Sequence, residues 1–209
     1  MMLHTFSKQN RQKGFSLIEV VIVVGILGII VVVFSAFQTD VLSFSRLFDK
    51  GLSASYGATR VVKDMTATIR IAAPSSLGAY PLASVSSSSL TFYADTDDDG
   101  LAERVRYFVA SSTLRKGVIK PSGSPLSYNS ANEKISYLID NVLTATSTPL
   151  FSYYDKNYSG TSSPLPTPVP VADVRLVKIT VVIDDNPSLP PSPVTVTTHI
   201  MLRNLKDNL

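Results

Sequence analysis

The chain has no cysteine, so no disulfide can staple it, and it offers neither a thiolate nucleophile nor a thiolate zinc ligand. Histidine is almost as scarce. His4 lies near the start and His199 in an alternating run near the end, leaving Cys/His and Ser/His catalysis and zinc ligation without their parts. Acid is missing from the first fourteen residues, MMLHTFSKQNRQKG, which carry Lys8, Arg11 and Lys13. Charge is nearly missing from the 23 that follow: Phe15–Phe37, FSLIEVVIVVGILGIIVVVFSAF, holds only Glu19. Proline is missing from the whole of Phe15–Ala73.

The apolar run is long enough to cross a bilayer. At about 1.5 Å per residue, a helix of this length spans roughly 35 Å, against a hydrocarbon core of about 30 Å. The basic start fits the cytoplasmic side, so the body would lie outside the cytoplasmic membrane. Of the 19 Lys and Arg residues three are in this start, and the other 16 balance the 16 acids. The basic pI therefore belongs to the first residues and gives no ground for nucleic-acid binding. An ordinary signal peptide would be cut after its apolar run, where Ser35-Ala36-Phe37 is a poor match and the run is long.

Glu19 is the informative residue. A carboxylate inside an apolar membrane segment needs a positive partner and is a functional candidate by default. Nothing basic lies within the segment. Cleavage after Gly14 would create an amine on Phe15, one helical turn from Glu19. When helices stack with an axial offset, one chain's amine can meet the next chain's carboxylate.

The string KGFSLIEVVIVVGILGII resembles the class III signal of type IV pilins and type II secretion pseudopilins. Lys13 and Gly14 stand before the cut, Phe15 after it and Glu19 four residues on, followed by an unbroken apolar run. The resemblance implies cleavage between Gly14 and Phe15 by a membrane aspartyl prepilin peptidase, then N-methylation of Phe15. It also implies assembly with other pilin or pseudopilin subunits into a helical filament, from a platform in the inner membrane. Many major pilins close a C-terminal loop with a disulfide and carry a proline late in the apolar segment. This chain has neither, which points toward a minor pilin or pseudopilin.

Beyond Phe37 the helical pattern continues. Val41, Phe44 and Phe48, then Ala58, Val62, Met65, Ile69 and Ala72 recur at steps of three and four. Arg46, Asp49, Lys50, Arg60, Lys63, Asp64 and Arg70 take the other faces, and Pro74 stops the helix. One helix over 15–73 is expected, membrane-spanning over 15–37 and amphipathic over 38–73, with Gly51 and Gly57 as weak spots. Ser75–Ser89 reads as a linker. Alternating runs then mark strands at 90–94, 104–110, 112–119, 135–143, 150–154, 174–183 and 194–202. No helical pattern separates them, so the sheet is antiparallel. The proline-rich stretches 159–170 and 184–193 read as stiff exposed connections. The expected fold is α+β, pilin-like: a cleaved leader over 1–14, the helix over 15–73 and a β-rich domain over 74–209. The segment order of 90–204, from LTFYAD through VKITVVI to MLRN, also resembles the J-type minor pseudopilins.

The run Asp95-Thr96-Asp97-Asp98-Asp99-Gly100 places oxygen ligands at alternate positions with glycine sixth, as a calcium loop begins. The twelfth position, glutamate in an EF-hand, is Arg106 here, but Glu103 in ninth place could supply a carboxylate. Two readings stand: a Ca2+ turn using Asp95, Asp97, Asp99 and Glu103, or a solvated acidic hairpin turn. No other cofactor is called for. For the whole chain, a filament subunit without enzyme activity is the leading reading. The alternative is a membrane-anchored extracytoplasmic binding or sensor module that does not polymerise, which would have no need of Gly14 before Phe15 or of Glu19.

Overall fold

The computed structural model describes residues 14–144, 148–184, 192–202 and 205. Lys8, Arg11, Lys13 and His4, most of the 184–193 connection and Arg203-Asn204 lie outside the described residues, as do the side chains of Arg46 and Lys50. The chain divides into two units at Leu47/Phe48.

The first unit is helical. Helix α1 (Leu17–Arg70) opens here, with Glu19 in its first turn. Its segment Leu17–Leu42 has a mean hydropathy of 3.2 and is long and apolar enough to cross a membrane. The apolar side chains of this unit are exposed, among them Ile22, Leu27, Val32 and Phe37. Ser35 and Thr39 do not break the apolar surface, because each hydroxyl donates to the carbonyl four residues back, Val31 and Ser35.

The second unit packs the last turns of α1 with two antiparallel sheets. The first sheet is a meander of β1 (Leu82–Val85), β2 (Ser89–Ala94), β3 (Glu103–Ala110), β4 (Thr113–Ile119) and β5 (Lys134–Ile139), each paired with the next. The second is built on β8 (Leu176–Ile183). Strand β9 (Val194–Met201) pairs along its whole length. Strands β6 (Val142–Leu143) and β7 (Phe151–Tyr154) share the other edge, β6 against Val182 and Ile183, β7 against 176–179. The antiparallel α+β arrangement expected from the alternating runs is what forms, divided into two sheets.

The helical stripe is buried where the sheets cover it. Ala58, Val62, Met65, Ile69 and Ala72, joined by Val61, form one core with Leu90, Phe92, Val105, Tyr107, Phe151, Ile179 and Ile200. Val41, Phe44 and Phe48 belong to the same sequence pattern but are exposed, 48%, 62% and 75%. The amphipathic half expected from residue 38 thus packs only from about Ala54 onward, because nothing among the described residues covers the turns before it. Gly57 acts as a close approach: a Cβ there would lie 3.1 Å from Ile139 Cδ1. The helix ends at Arg70, three residues before the expected Ala73. Ala72 N–H then donates to the Ile69 carbonyl, and Ala73 N–H to the Tyr93 carbonyl at 2.9 Å, tying the exit to β2.

The linker expected over 75–89 contains β1. Leu82 is buried and pairs with Phe92, so one side chain anchors a strand in a serine-rich tract whose composition hides it. The expected strand at 135–143 is two strands on different sheets. Asn141, at φ 59°, makes the break, a conformation asparagine tolerates. In the proline-rich stretch 159–170, Leu165 and Val169 are partly buried against the core, so it is less exposed than expected.

Candidate functional site

At the N-terminal end, Gly14 is exposed and non-helical. A Cβ on Gly14 would meet nothing within 4 Å, so the fold itself does not require glycine there. Val20 N–H donates to the Ser16 carbonyl at 3.2 Å, which starts the helical ladder just after Phe15. Glu19 is exposed in the first turn, where the helix dipole favours a carboxylate. Phe15 stands four residues earlier and is 81% exposed. Gly25 and Gly28 also face open space, with nothing within 4 Å of an added Cβ.

The second constellation is the connection between β2 and β3. Asp98 and Gly100 adopt positive φ, 57° and 84°, which curls the acidic run. Asp95 accepts the backbone N–H groups of Asp99 (3.2 Å) and Gly100 (2.9 Å), and Asp99 accepts that of Leu101 at 2.9 Å. The loop is braced at its end, where Tyr128 Oη donates to the Ala102 carbonyl and Ala102 N–H donates to Ser76 Oγ.

Glu103 is fully buried at the foot of this loop. Its Oε2 accepts from Thr96 N–H (2.7 Å) and Thr96 Oγ1 (2.8 Å), and its Oε1 has no hydrogen-bond partner among the described residues. One carboxylate oxygen from each of Asp95, Asp97, Asp99 and Glu103 lies within 4.8 Å of the others. All four residues singled out in the sequence therefore converge.

Lys120 was not singled out, and it belongs to the cluster. Its ammonium donates to Asp97 and, at 3.2 Å, to Asp99 Oδ2, and lies 4.0 Å from Glu103 Oε1. This lysine holds the Asp97 carboxyl below the usual range, while the two aspartates raise Lys120 above its ordinary value. Register puts it there: Arg104 pairs with Ile119, so Lys120 comes opposite Glu103. The β3–β4 turn that sets this register is Ser111-Ser112, both at positive φ, the backbone of a type I′ hairpin.

His199 is exposed on β9, stacked on Tyr158 with Nε2 3.3 Å from its hydroxyl.

A helix long and apolar enough to cross a membrane, together with a unit in which its last turns pack on antiparallel sheets, makes an α+β, pilin-like arrangement consistent with a membrane-anchored single-pass protein. Residues 9–35 match the model of the prokaryotic N-terminal methylation motif. The chain thus carries the class III prepilin leader signature of type IV pilins and pseudopilins, whose general associations are with other such subunits and with prepilin peptidase. No curated protein matches the chain.

Proposed function

We propose that the chain is a structural subunit, a minor pilin or pseudopilin, that works by polymerising and not by catalysis. Prepilin peptidase cuts between Gly14 and Phe15, and Phe15 is N-methylated. The processed subunit spans the cytoplasmic membrane once, with its body outside, until an inner-membrane platform draws it into a pilus or type II secretion pseudopilus. Glu19 of one subunit pairs with the Phe15 amine of its neighbour.

The observation that carries this reading is Glu19 in the first turn of α1, beside Phe15 and ahead of an apolar surface that the chain itself leaves bare. A charged side chain at a membrane helix centre costs about 2.5–3.5 kcal/mol on insertion scales. Pairing carboxylate with amine relieves both charges and fixes the axial offset that apolar contacts leave free to slide. Gly14 supports the reading too, since nothing inside the fold asks for glycine there. The exposed Val41, Phe44 and Phe48 offer apolar surface for neighbouring subunits.

Glu19→Val tests the mechanism. The variant should insert and be cleaved after Gly14 like the parent, with Phe15 as its first residue by mass spectrometry, yet be depleted from sheared filaments. A variant that enters filaments as well as the parent refutes the registering role of Glu19.

A further inference from the structure

We propose that the β2–β3 connection is a calcium site in which the Lys120 ammonium stands in for the ion when calcium is absent. The site lies in the body, away from the processing motif, and does not depend on the assembly reading.

The acidic run alone would be an ordinary solvated turn. Glu103 makes it more. Its carboxylate is fully buried, with Oε2 fixed by two donors of Thr96, while Oε1 lies 4.0 Å from the Lys120 ammonium and has no hydrogen-bond partner among the described residues. Buried polar atoms are nearly always satisfied, and an unpaired carboxylate oxygen is among the costliest exceptions. An ion bound by the cluster would satisfy it.

Lys120 answers only part of the demand. Its ammonium reaches Asp97 and Asp99 but stops 4.0 Å from Glu103 Oε1. It brings one positive charge to four carboxylates. A calcium ion brings two and binds oxygen at about 2.3–2.6 Å, so oxygens on its opposite sides stand roughly 4.6–5.2 Å apart. The 4.8 Å spread of the four oxygens fits that span. Magnesium, at about 2.0–2.1 Å with strict octahedral geometry, fits it less well. Three of the carboxylates lie toward solvent, which leaves room for the waters that complete six to eight ligands. Lys120 is half exposed on a flexible stem, so it can swing out without disturbing β4. Calcium must displace it, and the lysine therefore lowers the apparent affinity of the site.

The test uses the full chain in detergent micelles. Equilibrium dialysis with radioactive calcium should find one ion per chain, with affinity in the weak range of extracellular modules, about 0.1–1 mM. Calcium at about 1 mM should raise the melting temperature by about 1–6 °C, and magnesium by much less. Glu103→Gln and the double variant Asp97→Asn, Asp99→Asn, each checked for native circular dichroism, should lose the bound ion. Lys120→Met should bind calcium several-fold more tightly, since it removes an exposed competing pair. Absence of binding in both the parent and Lys120→Met overturns the site. Binding that survives Glu103→Gln unchanged, or a magnesium response equal to that of calcium, overturns the assignment of ligands and ion. Unchanged affinity in Lys120→Met overturns the stand-in role.

Discussion

Met65 and Phe48 are both large apolar residues on α1, and the structure gives them opposite fates. Met65 is fully buried against the sheets, whereas Phe48 is 75% exposed. Met65→Ala deletes packed atoms from a core that can collapse only partly around the gap, a change that costs about 2–5 kcal/mol. For a domain of this size each kcal/mol moves the melting temperature by about 2–4 °C, so a mid-range loss lowers it by roughly 7–14 °C. Phe48→Ala removes a side chain with little to touch inside its own chain and should stay within about 0.5 kcal/mol, or roughly 2 °C. Thermal unfolding of the full chain in detergent, followed by tyrosine fluorescence, compares the two directly. Similar shifts for both variants, or a Met65→Ala shift under about 2 °C, would refute the conclusion that packing on the helix begins only near Ala54–Ala58.

The buried tyrosines give a second contrast. Among the described residues the Tyr107 hydroxyl makes no well-formed hydrogen bond: it faces the Thr68 hydroxyl, which donates to the Asp64 carbonyl, so Tyr107→Phe should be neutral or stabilising. Tyr153→Phe loses a bond to the Ser86 carbonyl (2.8 Å) and should cost about 1 kcal/mol by denaturant titration. Burial pushes both phenols above their ordinary value of 10. Their contribution is therefore intact below pH 10 and is lost as pH rises further, because the unfolded chain then releases protons that the folded one still holds. Melting temperature recorded from pH 9 to 12 should fall more shallowly in the Tyr107→Phe, Tyr153→Phe double variant. At Gly117 an added Cβ would collide with Glu133 Oε1, which is held in a two-point bridge to Arg106. Gly117→Ala should break that bridge and cost about 1 kcal/mol, and it should cost nothing further when Glu133 is already alanine, a result a double-mutant cycle reads.

What could be read from the sequence follows the range of the forces involved. The processing motif is local in sequence and readable as a string, and the stripe Ala58–Ala72 obeys a period that no tertiary contact overrides. Strands with a largely alternating pattern, such as Ser89–Ala94 and Leu176–Ile183, are legible for the same reason. Strand β1 is not, because only Leu82, with Val85 half-buried beside it, packs inward among serines. Nor could the pattern tell that Val41, Phe44 and Phe48 would stay bare, since periodicity records which face is apolar and not whether anything covers it. The acidic loop was readable as a set of ligands. Its lysine was not, because Lys120 arrives through hairpin register, and Ser111-Ser112 lacks the asparagine or glycine by which a type I′ turn is recognised. The burial of Glu103 escaped notice because one polar letter among alternating residues does not reveal whether its side chain meets water.

The two sheets also differ in when they can close. In the five-stranded meander every strand pairs with its neighbour in sequence, so each hairpin can form as soon as its second strand is free to pair. Strands β6 and β7 have to wait. Their partner is β8, and β6 pairs with its far end, at Val182 and Ile183. A chain held at its N-terminus and exported in order would thus carry Val142 and Phe151–Tyr154, later part of the core, unpaired until the last fifth of its length emerged. In such a chain the span from Val142 to Leu176 would be the stretch left open longest to proteases and to mispairing with a neighbouring chain.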